Sequence, residues 1–174
     1  MRYMANRKTH RLQNYDYGGG GTYFLTICTE HRAHLFGEII DGAIHVSNLG
    51  EIVHAEWETT LLIRREIQCH AFVIMPNHVH ALVHVDLDLL PTPWQPNETA
   101  PTNLVDHRRP KSISTLVIGF KGAVTRTTRS LNLAHDIWQR DYHDHILRVG
   151  EYERIKTYIE TNPQNWLSDK FNEM

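Results

Sequence analysis

A pair of histidines, His78 and His80, has the clearest potential for chemistry in this sequence. The pair begins a strictly alternating run, which predicts a strand with His78, His80 and His84 on one face and small apolar residues on the other. Two imidazoles on the same face, two residues apart, lie close enough to bind one divalent metal ion. The alternative is a half-exposed strand that carries histidines without a metal, in a chain that has 13 of them.

A second candidate site lies near the C-terminal end, where Tyr158 and Asn162 are four residues apart in a predicted helix. At about 100° per residue, both project along the margin of the helix face that Tyr152, Ile155 and Ile159 would bury. A phenol has a pKa of about 10 and is a poor nucleophile at neutral pH. Beside a metal ion that withdraws charge from a phosphate, however, it can attack. The alternative is a tyrosine at the edge of the core with its hydroxyl in water.

Apolar periodicity and turn residues predict the elements that must position these side chains. A long apolar strand passes through the pair Pro76-Asn77 into the histidine strand, and the pair Asp41-Gly42 predicts a short hairpin. Strands are predicted over 23–29, 67–75 and 78–85, a hairpin over 38–46 and an extended piece over 137–140. Three helices are predicted: one from a cap at Ser47 or Asn48 to about residue 62, one from a cap at Ser112 or Ser114 to about residue 131, and one over 151–161.

The length and composition predict one domain over residues 1–174. With 41% hydrophobic and 22% charged residues, the chain resembles an ordinary globular protein. Residues 1–17 are expected to form a basic N-terminal arm. Residues 86–111 hold five of the seven prolines, and they are expected to form a mobile loop because too little chain follows for a second core.

The net charge of −2 argues against a general nucleic-acid binder, but the basic residues are unevenly placed. Residues 107–135 contain six Lys and Arg residues and no acid, and four more basic residues lie in the arm. Two basic patches can bind a polyanion locally, although a solvated helix face and a disordered tail would explain them equally well. The candidate DNA contacts are Arg2, Arg7, Lys8, Arg11, Lys121, Arg126, Arg129 and Arg140.

The sequence predicts a cytoplasmic protein without a membrane segment. No apolar run approaches the about 20 residues that a membrane helix needs, and the first residues show no signal peptide. Cys28 and Cys69 lie in separate apolar runs without metal-ligand spacing, so we expect buried, reduced thiols.

Three segments together resemble the single-tyrosine HUH transposases, and within them the REP-associated tyrosine transposases. The segments are 75–80 (Met-Pro-Asn-His-Val-His), 138–148, which begins Trp-Gln-Arg, and 158–163 (Tyr-Ile-Glu-Thr-Asn-Pro). The resemblance extends from about Asn14 to Trp166. A His-hydrophobic-His motif alone is moderately specific, whereas its combination with a Tyr-x-x-x-Asn-Pro helix is strongly so.

The resemblance implies an α+β fold, a ferredoxin-like antiparallel sheet with helices packed on one face and single-stranded DNA on the other. It implies that His78 and His80 bind Mg²⁺ or Mn²⁺ with Asn162 as the third ligand. Tyr158 would be the nucleophile that forms a 5′-phosphotyrosine. The resemblance also implies that the protein binds single-stranded or hairpin DNA and can form a homodimer. The implied location is the cytoplasm, in association with the nucleoid.

Two rival functions belong to other classes. A domesticated DNA-hairpin-binding protein would keep the fold without cleaving DNA, and a metal hydrolase would use water and dispense with Tyr158. The sequence shows no Glu beside the histidines to act as general base for such a hydrolase. The roles of His84, His143 and His145 stay open, and His143 stands where the family often has an aromatic residue.

Overall fold

A computed structural model describes residues 20–89, 112–133 and 136–172, whereas the predicted arm and most of the predicted loop lie outside these ranges. The main sheet has four antiparallel strands in the order β4-β5-β1-β6, and a separate hairpin pairs β2 with β3. In chain order the elements are β1 (Gly21–Cys28), β2 (Gly37–Ile40), β3 (Ala43–Val46), α1 (Asn48–Ile63), β4 (Ile67–Met75), β5 (His78–Val85), α2 (Ile113–Ser130), β6 (His143–Ile146) and α3 (Tyr152–Glu160).

The sheet order confirms the predicted ferredoxin-like α+β fold. Without the β2–β3 hairpin, the chain runs strand, helix, strand, strand, helix, strand. If these four strands are numbered in chain order, their order across the sheet is 2-3-1-4. The first strand therefore lies between the third and the fourth. This is the βαββαβ arrangement of that fold.

Local chemistry sets the predicted helix starts and the hairpin turn. The Ser47 hydroxyl accepts a hydrogen bond from the Gly50 amide at the start of α1, and the Ser112 hydroxyl caps α2 in the same way. Asp41 and Gly42 have φ angles of 49° and 75°, the left-handed pair that a two-residue hairpin turn requires. Of the alternative caps, the structure therefore selects Ser47 and Ser112.

The two faces of the sheet differ in what covers them. On one face α1 and α2 enclose the main core, where Trp57 stacks on Phe72 at 4.8 Å and meets Phe120 edge-on at 5.2 Å. The other face carries the histidines of β5, and there the short helix α3 packs Ile155 and Ile159 onto the sheet. The predicted buried stripe of α3 is thus confirmed, and it places this helix beside the histidine strand.

The structure contains two local elements that the sequence did not predict. Residues 143–146 form the edge strand β6, which the sequence did not predict because its alternation of exposed and half-buried positions includes only one apolar side chain. The predicted extended piece 137–140 is confirmed by an antiparallel strand-like bridge from Trp138 to Thr29 and by the backbone hydrogen bonds on either side of it. At the start of the predicted mobile loop, Leu87–Leu89 forms a short 3₁₀ helix.

Both cysteines are free, as predicted. Burial raises the pKa of the Cys28 and Cys69 thiols, so both stay protonated at neutral pH. Within the ranges that the structure describes, no helix has the length and apolar character needed to cross a bilayer.

Candidate active site

The two histidines lie at the start of β5, directly after the turn from β4, and their side chains meet. His78 and His80 are fully buried, and their Nε2 atoms lie 3.1 Å apart. His78 Nδ1 lies 2.8 Å from Asn77 Oδ1, and His80 Nδ1 lies 2.9 Å from the Thr26 hydroxyl. Because each Nδ1 has a partner, both rings are held with their Nε2 atoms facing each other.

Both imidazoles are neutral at pH 7 and can offer lone pairs. Burial lowers the pKa of His78 well below its usual value and that of His80 to about 4. Asn77 Oδ1 can only accept, so His78 carries its proton on Nδ1 and leaves Nε2 as an acceptor. The Thr26 hydroxyl can donate or accept. His80 therefore keeps this partner in either tautomer and can free its own Nε2 for a ligand.

The spacing of the pair fits a small octahedral cation. Two neighbouring ligands on an ion with bonds of about 2.1 Å lie about 3.0 Å apart. The observed 3.1 Å between the Nε2 atoms of His78 and His80 matches that separation. These two histidines and Asp169 are three residues whose ligand atoms all lie within 4.8 Å of one another. The group can therefore hold a divalent metal ion.

Asn162, which the family resemblance implies as the third ligand, reaches the same site. Its Nδ2 donates to Asp169 Oδ2 at 2.7 Å, and because a carboxylate only accepts, the amide must be oriented this way round. Its Oδ1 is buried and has no hydrogen-bond partner within the described part of the chain. A buried oxygen with no donor is uncommon, and a cation would satisfy it.

Asp169 is the site residue that sequence reasoning missed. It follows the 3₁₀ helix Pro163–Ser168 in the C-terminal segment, where neither motif nor periodicity marks it. It is nevertheless the only acid between Glu160 and Glu173, which is the one signal that could have drawn attention to it. The carboxylate is largely buried, and it accepts hydrogen bonds from Asn162 and from the Phe171 amide.

Tyr158 lies between this centre and the surface. Its hydroxyl donates to Asp169 Oδ2 at 3.2 Å and lies 3.5 Å from His80 Nε2, and the residue is 38% exposed. Burial, followed by the negative charge of Asp169, raises the pKa of the phenol to about 12. Tyr158 is thus protonated in the free protein and reachable from outside, and it needs a nearby positive charge to become a nucleophile.

The predicted DNA contacts of α2 lie away from this site, because α2 covers the opposite face of the sheet. Lys121 is engaged within the protein, since its ammonium donates to the backbone carbonyls of Gln139, Arg140 and Asp141 at 2.8, 3.4 and 3.0 Å. This network fixes the segment that leads into β6. The side chains of Arg126, Arg129 and Arg140 are exposed, and the last two line a common groove of about 650 Å³.

The remaining predicted contacts, those of the arm, lie outside the described residues; they are Arg2, Arg7, Lys8 and Arg11.

Comparison with known proteins places the fold. A protein from Haemophilus influenzae, described as uncharacterized, is 33% identical over 166 residues, which are 95% of this chain and 92% of that protein. The solved structure of a REP-associated tyrosine transposase bound to a REP hairpin has a TM-score of 0.58 at 18% identity, covering 90% of this chain and 74% of that one. A suspected transposase from Deinococcus radiodurans matches with a TM-score of 0.47 at 17% identity, over 86% and 95% of the two chains. No protein-family profile matches the chain.

Proposed function

This chain belongs to the same family as the Haemophilus influenzae protein and has the fold of the tyrosine transposases, and on that basis we propose that it is a metal-dependent single-strand DNA endonuclease and strand transferase. Its substrate is hairpin-flanked, REP-like DNA, its intermediate is a 5′-phosphotyrosine at Tyr158, and it acts at the nucleoid. The hairpin in the transposase structure of the same fold supports this substrate.

One observation carries the proposal, the meeting of a reachable phenol with a buried pair of neutral imidazoles. The Tyr158 hydroxyl lies 3.5 Å from His80 Nε2, which itself lies 3.1 Å from His78 Nε2. A structural tyrosine at the margin of a core does not require a pair of buried, neutral histidines beside its hydroxyl. A phosphate that bridges these groups would have both a nucleophile and a site for a cation beside it.

The residues of the chain have separate tasks in this reaction. A Mg²⁺ or Mn²⁺ ion held by His78 and His80 would polarise the scissile phosphate. Since imidazole suits transition metals and Mg²⁺ prefers oxygen ligands, we expect Mn²⁺ to bind more tightly. The Tyr158 oxygen attacks the phosphorus, the bond to the 3′ oxygen breaks, and a 5′-phosphotyrosine and a free 3′-hydroxyl result. The hydrogen bond to Asp169 orients the phenol for that attack.

The decisive experiment is a search for the covalent adduct. The full-length protein is incubated with Mn²⁺ and a 5′- or 3′-labelled oligonucleotide that contains a hairpin and single-stranded flanks. We expect the 3′-labelled piece to migrate with the protein on a denaturing gel and the 5′-labelled piece to be released with a free 3′-hydroxyl. Binding without cleavage would favour the domesticated hairpin-binding protein, and a free 5′-phosphate product without adduct would favour the hydrolase.

Hairpin binding is assigned to basic groups remote from the centre. The exposed Arg126, Arg129 and Arg140 can contact phosphates of the stem, and the basic arm can add further contacts. Lys121 is left out because the carbonyls that it binds already use its three donors.

A test of the third ligand separates Asn162 from Asp169. Three donors already approach the Asp169 carboxylate, whereas Asn162 Oδ1 has none among the described residues, so we expect Asn162 to be the ligand and Asp169 to orient it. Asp169→Asn should weaken Mn²⁺ binding by about 10- to 100-fold, as the loss of an outer-shell partner does, and Asn162→Ala should weaken it further. Titration followed by Mn²⁺ electron paramagnetic resonance measures both. The exposed Asp136→Asn serves as control, and the opposite order of the two losses would make Asp169 the ligand.

A further inference from the structure

A cleft of about 380 Å³ opens next to the active site, between the β1–β6 edge of the sheet and the C-terminal segment. Its walls include Phe24 and Thr26 of β1, His143 of β6, Arg32, Lys170 and Phe171. The volume falls in the range of about 300–1,000 Å³ that is usual for small-ligand sites. The proposed function does not yet assign a ligand to this cleft.

The cleft shares a wall with the catalytic groups. The Phe24 ring centroid lies 5.0 Å from that of His80 and 6.0 Å from that of Tyr158. Thr26 connects the two sites directly, since its hydroxyl is the partner of His80 Nδ1. A ligand bound in the cleft would therefore lie next to a phosphate at Tyr158.

The lining combines an aromatic surface with fixed positive charge. Phe24 is half-buried on the open face of the sheet. The Arg32 guanidinium and the Lys170 ammonium lie 4.4 and 4.8 Å from the centroid of Phe171, which packs on His78 at 4.7 Å. Arg32 has a φ of 57°, an uncommon backbone conformation for a residue with a side chain. The cleft thus offers a ring for stacking and two cations for phosphate.

The edge strand β6 brings two histidines to the same face. His143 pairs with Thr26 and His145 with Phe24, and since directly paired residues share a face, both imidazoles border the cleft. His145 Nε2 lies 2.8 Å from Glu151 Oε2, and that carboxylate also accepts from the Arg148 amide just before α3. Glu151 therefore links β6, at the edge of the cleft, to the start of α3, the helix that carries Tyr158.

Asp144 is the acid within the lining, and its strand position limits its effect. It pairs with Leu25, which is fully buried in the core on the opposite face of the sheet. Alternation along the strand directs the Asp144 side chain away from the aromatic wall. The face with Phe24 keeps its cationic character and suits an anionic, aromatic ligand.

We propose that this cleft binds the unpaired nucleotide next to the scissile phosphate, with its base stacked on Phe24 and its own phosphate between Arg32 and Lys170. The inference rests on the proposed function and assigns side chains of this chain to one nucleotide of its single-stranded substrate. A stacked base is recognised through its π face, so the cleft accepts different bases. A base pair would not present a free face to Phe24.

The test measures binding without cleavage, so that it does not depend on the proposed chemistry. The probe is a single-stranded oligothymidylate of about ten nucleotides with one 2-aminopurine, whose fluorescence falls when it stacks. It is titrated into full-length Tyr158→Phe protein without divalent metal. Phe24→Leu added to this background should weaken binding about tenfold and remove the quenching, and Phe24→Trp should restore both. Tyr152→Leu, on the same sheet face but outside the cleft, is the matched control.

The cations are tested with Arg32→Gln and Lys170→Gln, which leave the sheet untouched. Each should reduce the slope of log affinity against log salt by about 0.7, the value for one phosphate contact with a single strand. Unchanged affinity and quenching in Phe24→Leu, or unchanged salt slopes in both cation variants, would overturn the inference even if the wild type forms the adduct. If the variants behave as expected but no adduct forms, the cleft stands and the proposed chemistry falls.

Discussion

Tyr158→Phe is expected to abolish DNA cleavage and the covalent adduct together, while the protein stays folded. The change removes one oxygen, and the ring retains its packing against Phe24 and His80. The lost hydrogen bond to Asp169 lies at a residue that is 38% exposed, so the thermal midpoint should change by only a few degrees. The loss of activity should be complete to the detection limit, because the attacking oxygen itself is gone.

The controls for this prediction come from tyrosines that make different contacts. Tyr142 shares a hydrogen bond with Ser114 at 3.1 Å, and Tyr152 lies against His70 with ring centroids 5.4 Å apart. Tyr142→Phe and Tyr152→Phe should both cleave DNA at a rate close to that of the wild type. Peptide mass mapping of the adduct should find the phosphate on Tyr158. Release of a free 5′-phosphate product by Tyr158→Phe would identify water as the nucleophile and make the protein a metal hydrolase.

His80→Ala and His78→Ala are expected to remove metal binding and cleavage but to leave hairpin binding largely intact. Each variant deletes one of the two nitrogens whose 3.1 Å separation fits neighbouring positions on an octahedral ion. The exposed arginines assigned to the hairpin lie on the other side of the sheet, so the affinity for DNA without metal should change less than threefold. Mn²⁺ titration, the adduct assay and a gel shift with the same labelled hairpin measure the three effects.

His84→Ala is the matched control because it lies on the same strand and face, four residues from His80. Its Nδ1 pairs with the Thr22 hydroxyl at 3.0 Å, much as His80 pairs with Thr26, but the neighbouring imidazole of His70 is farther away, with ring centroids 6.4 Å apart against 4.4 Å for His78 and His80. We expect His84→Ala to bind metal and cleave DNA like the wild type. A His80→Ala protein that is folded by circular dichroism and still cleaves in Mn²⁺ at a comparable rate would show that the ligand assignment is wrong.

The sequence by itself determined the parts of this protein that depend on local periodicity. The alternation of β5 follows from its residues, because a period of two forces His78 and His80 onto one face once Val79 and Ala81 are buried. The angular position of Tyr158 and Asn162 on α3 follows in the same way from Ile155 and Ile159. Capping serines and the Asp-Gly turn are local signals as well, and the structure places them where the sequence predicts.

Tertiary structure alone decided which distant groups share the site. Asp169 reaches Tyr158 because the segment after α3 turns back across the histidines, where Asn77 Nδ2 donates to the Phe171 carbonyl. No periodicity encodes such a contact, since it joins residues 94 positions apart through one amide. The strand β6 exists because β1 offers it an unpaired edge, and its own four residues have too little apolar character to predict it. Lys121 likewise binds backbone carbonyls rather than solvent. Those carbonyls belong to residues 139 and 141, and only the tertiary fold brings this segment next to α2.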